Sequence, residues 1–162
     1  MNDVDRESQA YSEQLYRIAF DQSPAGMVYV GVDGRFIKVN SAMCEIAGYC
    51  AEELVGMAVS NLTHPDDRAR DADLLEPFLR GSMPTYENEK RYVRKDGDVR
   101  WVTVAARMVT DAEGRPLHTV SVVLDITARK RAQVQSLQSA GILRAICEVS
   151  PDLIFVDRKS VV

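Results

Sequence analysis

The side chains able to do chemistry are few and widely spread. The two histidines, His64 and His118, fall in unrelated segments. Neither forms the nucleophile–base pair that covalent catalysis needs. Cys44, Cys50 and Cys147 form an odd set without close metal-ligand spacing. They read as packed thiols in a reducing cytoplasm. Glu87 and Glu89 lie near Lys90 and Arg91 on one predicted strand, a pattern that reads as a solvated sheet face. No glycine-rich loop is built to cradle a phosphate. The expectation is therefore no catalytic residue, no metal ligand and no enzyme activity in this stretch of chain.

Bulk properties narrow the classes further. The net charge of −4 gives no basic footprint for nucleic acid. No apolar run reaches the ~18 residues that span a bilayer. The acidic, polar segment 1–13 does not resemble a secretory signal. A cytoplasmic location without membrane contact is expected for this piece. The 162 residues, 46% of them hydrophobic, allow one domain with a core plus flanking pieces.

The positioning elements follow from periodicity. Tyr11, Leu15, Ile18 and Ala19 recur at helical spacing and predict an amphipathic helix over 5–21. Ser23-Pro24 ends it, because a residue before proline avoids the helical region. Strands are expected over 27–32 and 35–39, joined at Asp33-Gly34. Asn40-Ser41 offers an N-cap to a short helix that Gly48 closes. Single helical turns follow at 51–54 and 58–62. Thr63-His64-Pro65-Asp66-Asp67 starts a further helix, with His64 a helix-start residue and Leu74, Leu75, Phe78 and Leu79 its buried stripe. Pro77 should clash with the Asp73 carbonyl and kink that helix or end it near Glu76.

Three strands are then expected over 85–94, 99–110 and 117–126, with turns at Asp96-Gly97 and around Gly114. In the last strand Val120, Val122, Leu124 and Ile126 share one face. Thr119, Ser121, Val123 and Asp125 share the other. His118 falls at the start of this strand, at a surface or edge. At Asp125-Ile126-Thr127 period-two patterning gives way to a helix over 128–149. Its apolar stripe is thin and Gly141 weakens it, so a partner is expected. Two strands, several short helices and three strands make an α+β domain.

Residues 17–24 and 144–151 are alike. Each is an amphipathic helix end, an acidic residue and Ser-Pro, followed by a β-rich run. A second copy of the same domain is expected to begin at 151.

The series as a whole resembles a PAS domain of the sensory-box type with its C-terminal PAC motif. The resemblance covers about residues 20–131. It rests on Ser23-Pro24, Asp33-Gly34-Arg35, Val39-Asn40, Ala47-Gly48-Tyr49, Glu52-Glu53-Leu54-Val55-Gly56 and His64-Pro65-Asp66-Asp67-Arg68. It continues through Glu89-Lys90-Arg91-Tyr92, Lys95-Asp96-Gly97, Arg100-Trp101-Val102 and Asp125-Ile126-Thr127. It implies a five-stranded antiparallel sheet, order 2-1-5-4-3, with short helices on one face and a small cavity. The expected division is an N-terminal amphipathic helix over 1–22, a PAS/PAC sensor domain over 23–127, a linker helix over 128–150 and a truncated second PAS domain over 151–162.

The implied role is a sensor and dimerisation module, homodimeric through the N-terminal and linker helices. It would signal through the linker to an output domain in the same chain, a histidine kinase or a diguanylate cyclase or phosphodiesterase. The alternative is a ligand-free dimerisation or docking module. Strand parity and the family layout nominate Tyr29, Met43, Leu75, Tyr92, Trp101, Thr103 and Ser121 as cavity lining. Asp125, Ile126 and Thr127 are nominated as the coupling joint. No cofactor is named: an empty cavity is expected, with a small organic ligand as the alternative. A haem or flavin is the further alternative, although the chain lacks the flavin-adduct cysteine motif and a histidine on the long helix.

Overall fold

A computed structural model describes the backbone of residues 3–149 and the side chains of residues 8–142. The second-domain expectation over 151–162 and the Cys147 side chain lie outside the described residues. The chain divides into two units between Ile126 and Thr127, so each is described by itself.

The first unit opens with helix α1 (Asp3–Asp21), then strands β1 (Gly26–Gly31) and β2 (Phe36–Val39). Helices α2 (Ser41–Ala47), α3 (Ala51–Leu54) and α4 (Val59–Leu62) follow. A 3-10 turn (Pro65–Asp67) leads into α5 (Arg68–Leu79). Strands β3 (Thr85–Val93), β4 (Val99–Thr110) and β5 (Pro116–Asp125) complete it. All pairings are antiparallel, in the order β2-β1-β5-β4-β3. Gly34, at φ 75°, supplies the left-handed residue that the β1–β2 turn requires. The second unit is helix α6 (Thr127–Val149).

One residue ties three of these elements together. Asn40 caps α2: its Oδ1 accepts from Met43 N at 3.0 Å and from Met27 N at 2.9 Å. Its Nδ2 donates to the carbonyls of Phe20 and Ala25, both at 2.9 Å. The amide thus uses its whole bonding capacity on the end of α1, the start of β1 and the start of α2.

Pro77 corrects one expectation. Helix α5 does not stop near Glu76 but continues to Leu79. The proline stands in the last turn, where a missing N–H costs one bond only. The helix end is re-satisfied by Arg80 N to Glu76 O at 3.0 Å and Ser82 N to Pro77 O at 2.9 Å.

The core fills the space between one sheet face and helices α2 to α5. Val28, Phe36, Met43, Leu54, Leu62, Phe78, Val102 and Val123 are all buried there. On the opposite sheet face, the last turn of α1 packs over β1 and β2. Phe20 is buried with its ring 5.6 Å from that of Tyr29, and Lys38 Nζ lies 4.5 Å from the centre of the Phe20 ring. Among the described residues no helix is long and apolar enough to cross a membrane.

Candidate functional site

Helix α5 and strand β3 build a polar cluster inside the apolar core. On α5, Asp71, Leu75 and Phe78 fall at i, i+4 and i+7 and share the face turned to the sheet. Asp71 is consequently buried, at 7% exposure. On β3, alternation turns Tyr86, Asn88, Lys90 and Tyr92 inward, and all four are buried. Lys90, at 3% exposure, therefore does not belong to the solvated face expected for it; of its charged neighbours Glu87 is exposed, and Glu89 and Arg91 are half-buried.

Asp71 is the centre of the cluster. Its Oδ2 accepts from Lys90 Nζ at 2.6 Å. Its Oδ1 accepts from Asn88 Nδ2 at 2.9 Å and from the Tyr86 hydroxyl. Three donors on one carboxylate offset the desolvation of a buried ion pair. Lys90 Nζ also lies 5.8 Å and 5.6 Å from the ring centres of Tyr86 and Tyr92. Burial pushes the Lys90 ammonium below its ordinary range, and the Asp71 carboxylate opposes that. Burial, then the bond to Asp71, pushes the Tyr86 phenol well up, so it stays a donor.

This cluster forms one wall of a cavity of about 350 Å3. Asp71, Lys90, Tyr86 and Tyr92 meet it from α5 and β3, and Thr119 and Ser121 meet it from β5. The remainder is mostly apolar, with Val28, Val30, Leu75, Phe78, Val104 and Ala106 on the lining. Exposed Asp33, Ser60 and Arg68 also stand on the lining, which opens the cavity towards the β1–β2 turn and the start of α5.

Of the nominated lining residues, Leu75, Tyr92 and Ser121 stand on this wall. Met43 is fully buried but packs in the core away from it. Tyr29, Trp101 and Thr103 are corrections: they project from the opposite sheet face. The inward residues of β1 are Val28 and Val30, and those of β4 are Val102, Val104 and Ala106. Their odd-numbered neighbours must therefore point outward. Tyr29 instead meets the Tyr16 hydroxyl of α1 and the His118 ring at 5.3 Å. The Arg91 guanidinium covers Trp101 at 5.6 Å.

His64 is a cap: its Nδ1 accepts from Asp66 N at 3.3 Å at the start of the 3-10 turn. Among the described residues no group of three His, Cys, Asp or Glu could hold a metal ion. The cavity lining contains neither histidine nor cysteine, so it offers no imidazole or thiolate ligand to a haem and no thiol for a flavin adduct. A histidine-ligated haem and a flavin–cysteine adduct do not fit the residues present.

At the far end of β5, Asp125 pairs with Arg100 at 3.3 Å. Ile126 N donates to Trp101 O at 2.8 Å and carries the β4–β5 ladder one residue further. Thr127 is the first residue of α6. No loop separates strand from helix.

Sequence reasoning missed Asp71, Asn88 and Lys90. A signal existed. Asp71 keeps helical register with Leu75 and Phe78, and Asn88 and Lys90 alternate between two tyrosines. Period places these residues inside although their side chains are polar or charged.

The PAS fold family model matches residues 36–123. The chain is 36% identical over 130 residues to the probable diguanylate cyclase DgcE of Escherichia coli, across 80% of this chain and 12% of that protein. It is 32% identical over 155 residues to the C4-dicarboxylate transport sensor protein DctS of Rhodobacter capsulatus, across 91% of this chain and 24% of that one. The chain thus spans a quarter or less of these relatives. Among solved structures, the PAS domain of a Colwellia psychrerythraea protein superposes with a TM-score of 0.66 at 21% identity, covering 71% of this chain and 97% of that one. A sensory box histidine kinase/response regulator from Burkholderia thailandensis gives 0.62 at 27% identity, covering 80% and 98%. Sheet order, helix placement and family match agree, and the chain belongs to the PAS fold family.

Proposed function

We propose that this chain is a cytoplasmic sensory module that converts occupancy of the Asp71–Lys90 cavity into a movement of α6. The observation that carries the reading is the continuity of β5. Its inward residues Thr119, Ser121 and Val123 line the cavity, and its end runs through Asp125 and Ile126 directly into the helix. A ligand that favours one position of the strand over another thereby biases the helix. The relatives support an output domain further along the same polypeptide, a histidine kinase or a cyclic-di-GMP enzyme. The free thiols Cys44 and Cys50 support a reducing compartment.

Homodimerisation through α1 and α6 is part of the proposal. Tyr11, Leu15 and Ile18 on α1 are exposed, as are Val134, Leu137 and Ile142 on α6. Those same residues favour the second reading, a docking module without ligand, and native mass spectrometry separates the two by the presence of an added small mass. The relay is tested in the full-length protein by changing Asp125→Ala and Thr127→Ala together. Output that loses its response while the domain keeps its melting temperature supports the relay. A normal response overturns it.

A further inference from the structure

The proposed sensing cavity carries unspent hydrogen-bonding capacity, and its charge is already balanced. An ammonium has three N–H donors. Lys90 gives one to Asp71 and makes no other hydrogen bond among the described residues. The Tyr92 hydroxyl and the Ser121 hydroxyl are likewise without a hydrogen bond among the described residues, although these side chains are buried at 1% and 4% exposure and stand on the cavity lining. Buried donors of this kind are the ones a ligand oxygen satisfies.

Charge then selects the ligand. Lys90 is neutralised by Asp71 at 2.6 Å, so a buried anion would have no counter-charge left to meet. A cation would face a carboxylate whose two oxygens already take three donors. Arg68 and Asp33, the other charged lining residues, are exposed at the opening and screened by water. Beyond the polar wall the lining is largely valine, alanine, leucine and phenylalanine. The volume of about 350 Å3 falls at the small end of ligand sites.

We propose that the cavity takes a small uncharged organic molecule, largely hydrocarbon, whose single oxygen accepts from Lys90 Nζ beside Tyr92. This deepens the sensory reading and rests on it. Ketones, ethers and phenols have this chemistry; carboxylates, amines and oxygen-free hydrocarbons do not.

The test uses four probes on one ring: cyclohexanone, cyclohexanecarboxylate, cyclohexylamine and methylcyclohexane. Each is titrated against the 162-residue chain by calorimetry and ligand-observed NMR. Cyclohexanone is expected to bind at least tenfold more tightly than any of the other three. Lys90→Met, and the charge-free pair Asp71→Asn with Lys90→Met, abolish that preference. The second variant keeps the test valid where the first fails to fold. Ala106→Leu, which fills the wall, weakens every probe. Tightest binding by the carboxylate or the amine, lost in Ala106→Leu, overturns the ligand class and leaves the sensing cavity standing. Absence of binding by all four probes overturns the class and the cavity reading together.

Discussion

The two faces of β5 are the reverse of what hydrophobicity alone would assign. Thr119 and Ser121 point into the molecule with exposures of 5% and 4%, while Val122 and Leu124 point outward at 36% and 48%. The polar face is the buried one because β5 is the central strand and its inward side closes the cavity. The apolar face lies on the side of the sheet that α1 covers only over β1 and β2. Burial here follows register and topology, and the polar residues it brings inside are the ones that give the cavity its chemistry. The same inversion recurs on β3, where Asn88 and Lys90 are inside and Val93 is only half-buried.

If the inner face is a pre-built polar site, breaking it costs far more than changing the outer face. Asp71→Ala leaves the Lys90 charge buried and unpaired, and is expected to lower stability by about 3–5 kcal/mol in urea denaturation. Replacing both partners, Asp71→Leu with Lys90→Met, is expected to cost less than the single change, because neither charge is then left alone. A double variant as unstable as the sum of the singles would remove the ion pair from the account.

The pair at the rim of β3 acts through pH. Arg91 binds Asp67 through the Nη2–Nε edge of its guanidinium and through its backbone N–H, at 2.6, 3.0 and 2.9 Å. That side-chain bond, reinforced by the backbone one, holds the Asp67 carboxyl below its ordinary range. As pH falls, the unfolded chain therefore takes up this proton first. The contribution of Asp67 is whole above about pH 4 and is lost as the pH drops through the folded value. Asp67→Asn is expected to flatten the fall of melting temperature below about pH 4 while leaving a residual slope from Asp96 and Asp111, which are also lowered. On the outer face, Leu124→Thr is expected to stay within about 0.5 kcal/mol of the parent chain.

Much of the fold was legible in local chemistry. Asp33-Gly34, Asp96-Gly97 and the turn at Gly114 marked the hairpins, and the three glycines adopt the positive φ those turns need. Asn40 and Gly48 were readable as the ends of α2. The cavity wall was less legible. On β4 both faces carry hydrophobic side chains, so Trp101 and Thr103 could be taken for the inward set when Val102, Val104 and Ala106 held that place. Asp71 and Lys90 are 19 residues apart, and although period turns each inward, nothing local pairs them. Only the packing of α5 across β3 makes them a pair, and no local pattern encodes that crossing.

The proposed relay requires that filling the cavity alter the start of α6. Ile126 N, bonded to Trp101 O at 2.8 Å, is the last rung of the β4–β5 ladder before the helix. Its amide exchange in the full-length protein, followed with and without saturating cyclohexanone, reads the coupling directly. The account predicts that the probe changes protection at Ile126 and the first turn of α6, and that Lys90→Met removes the change. Unaltered exchange at Ile126 with the cavity filled would contradict it.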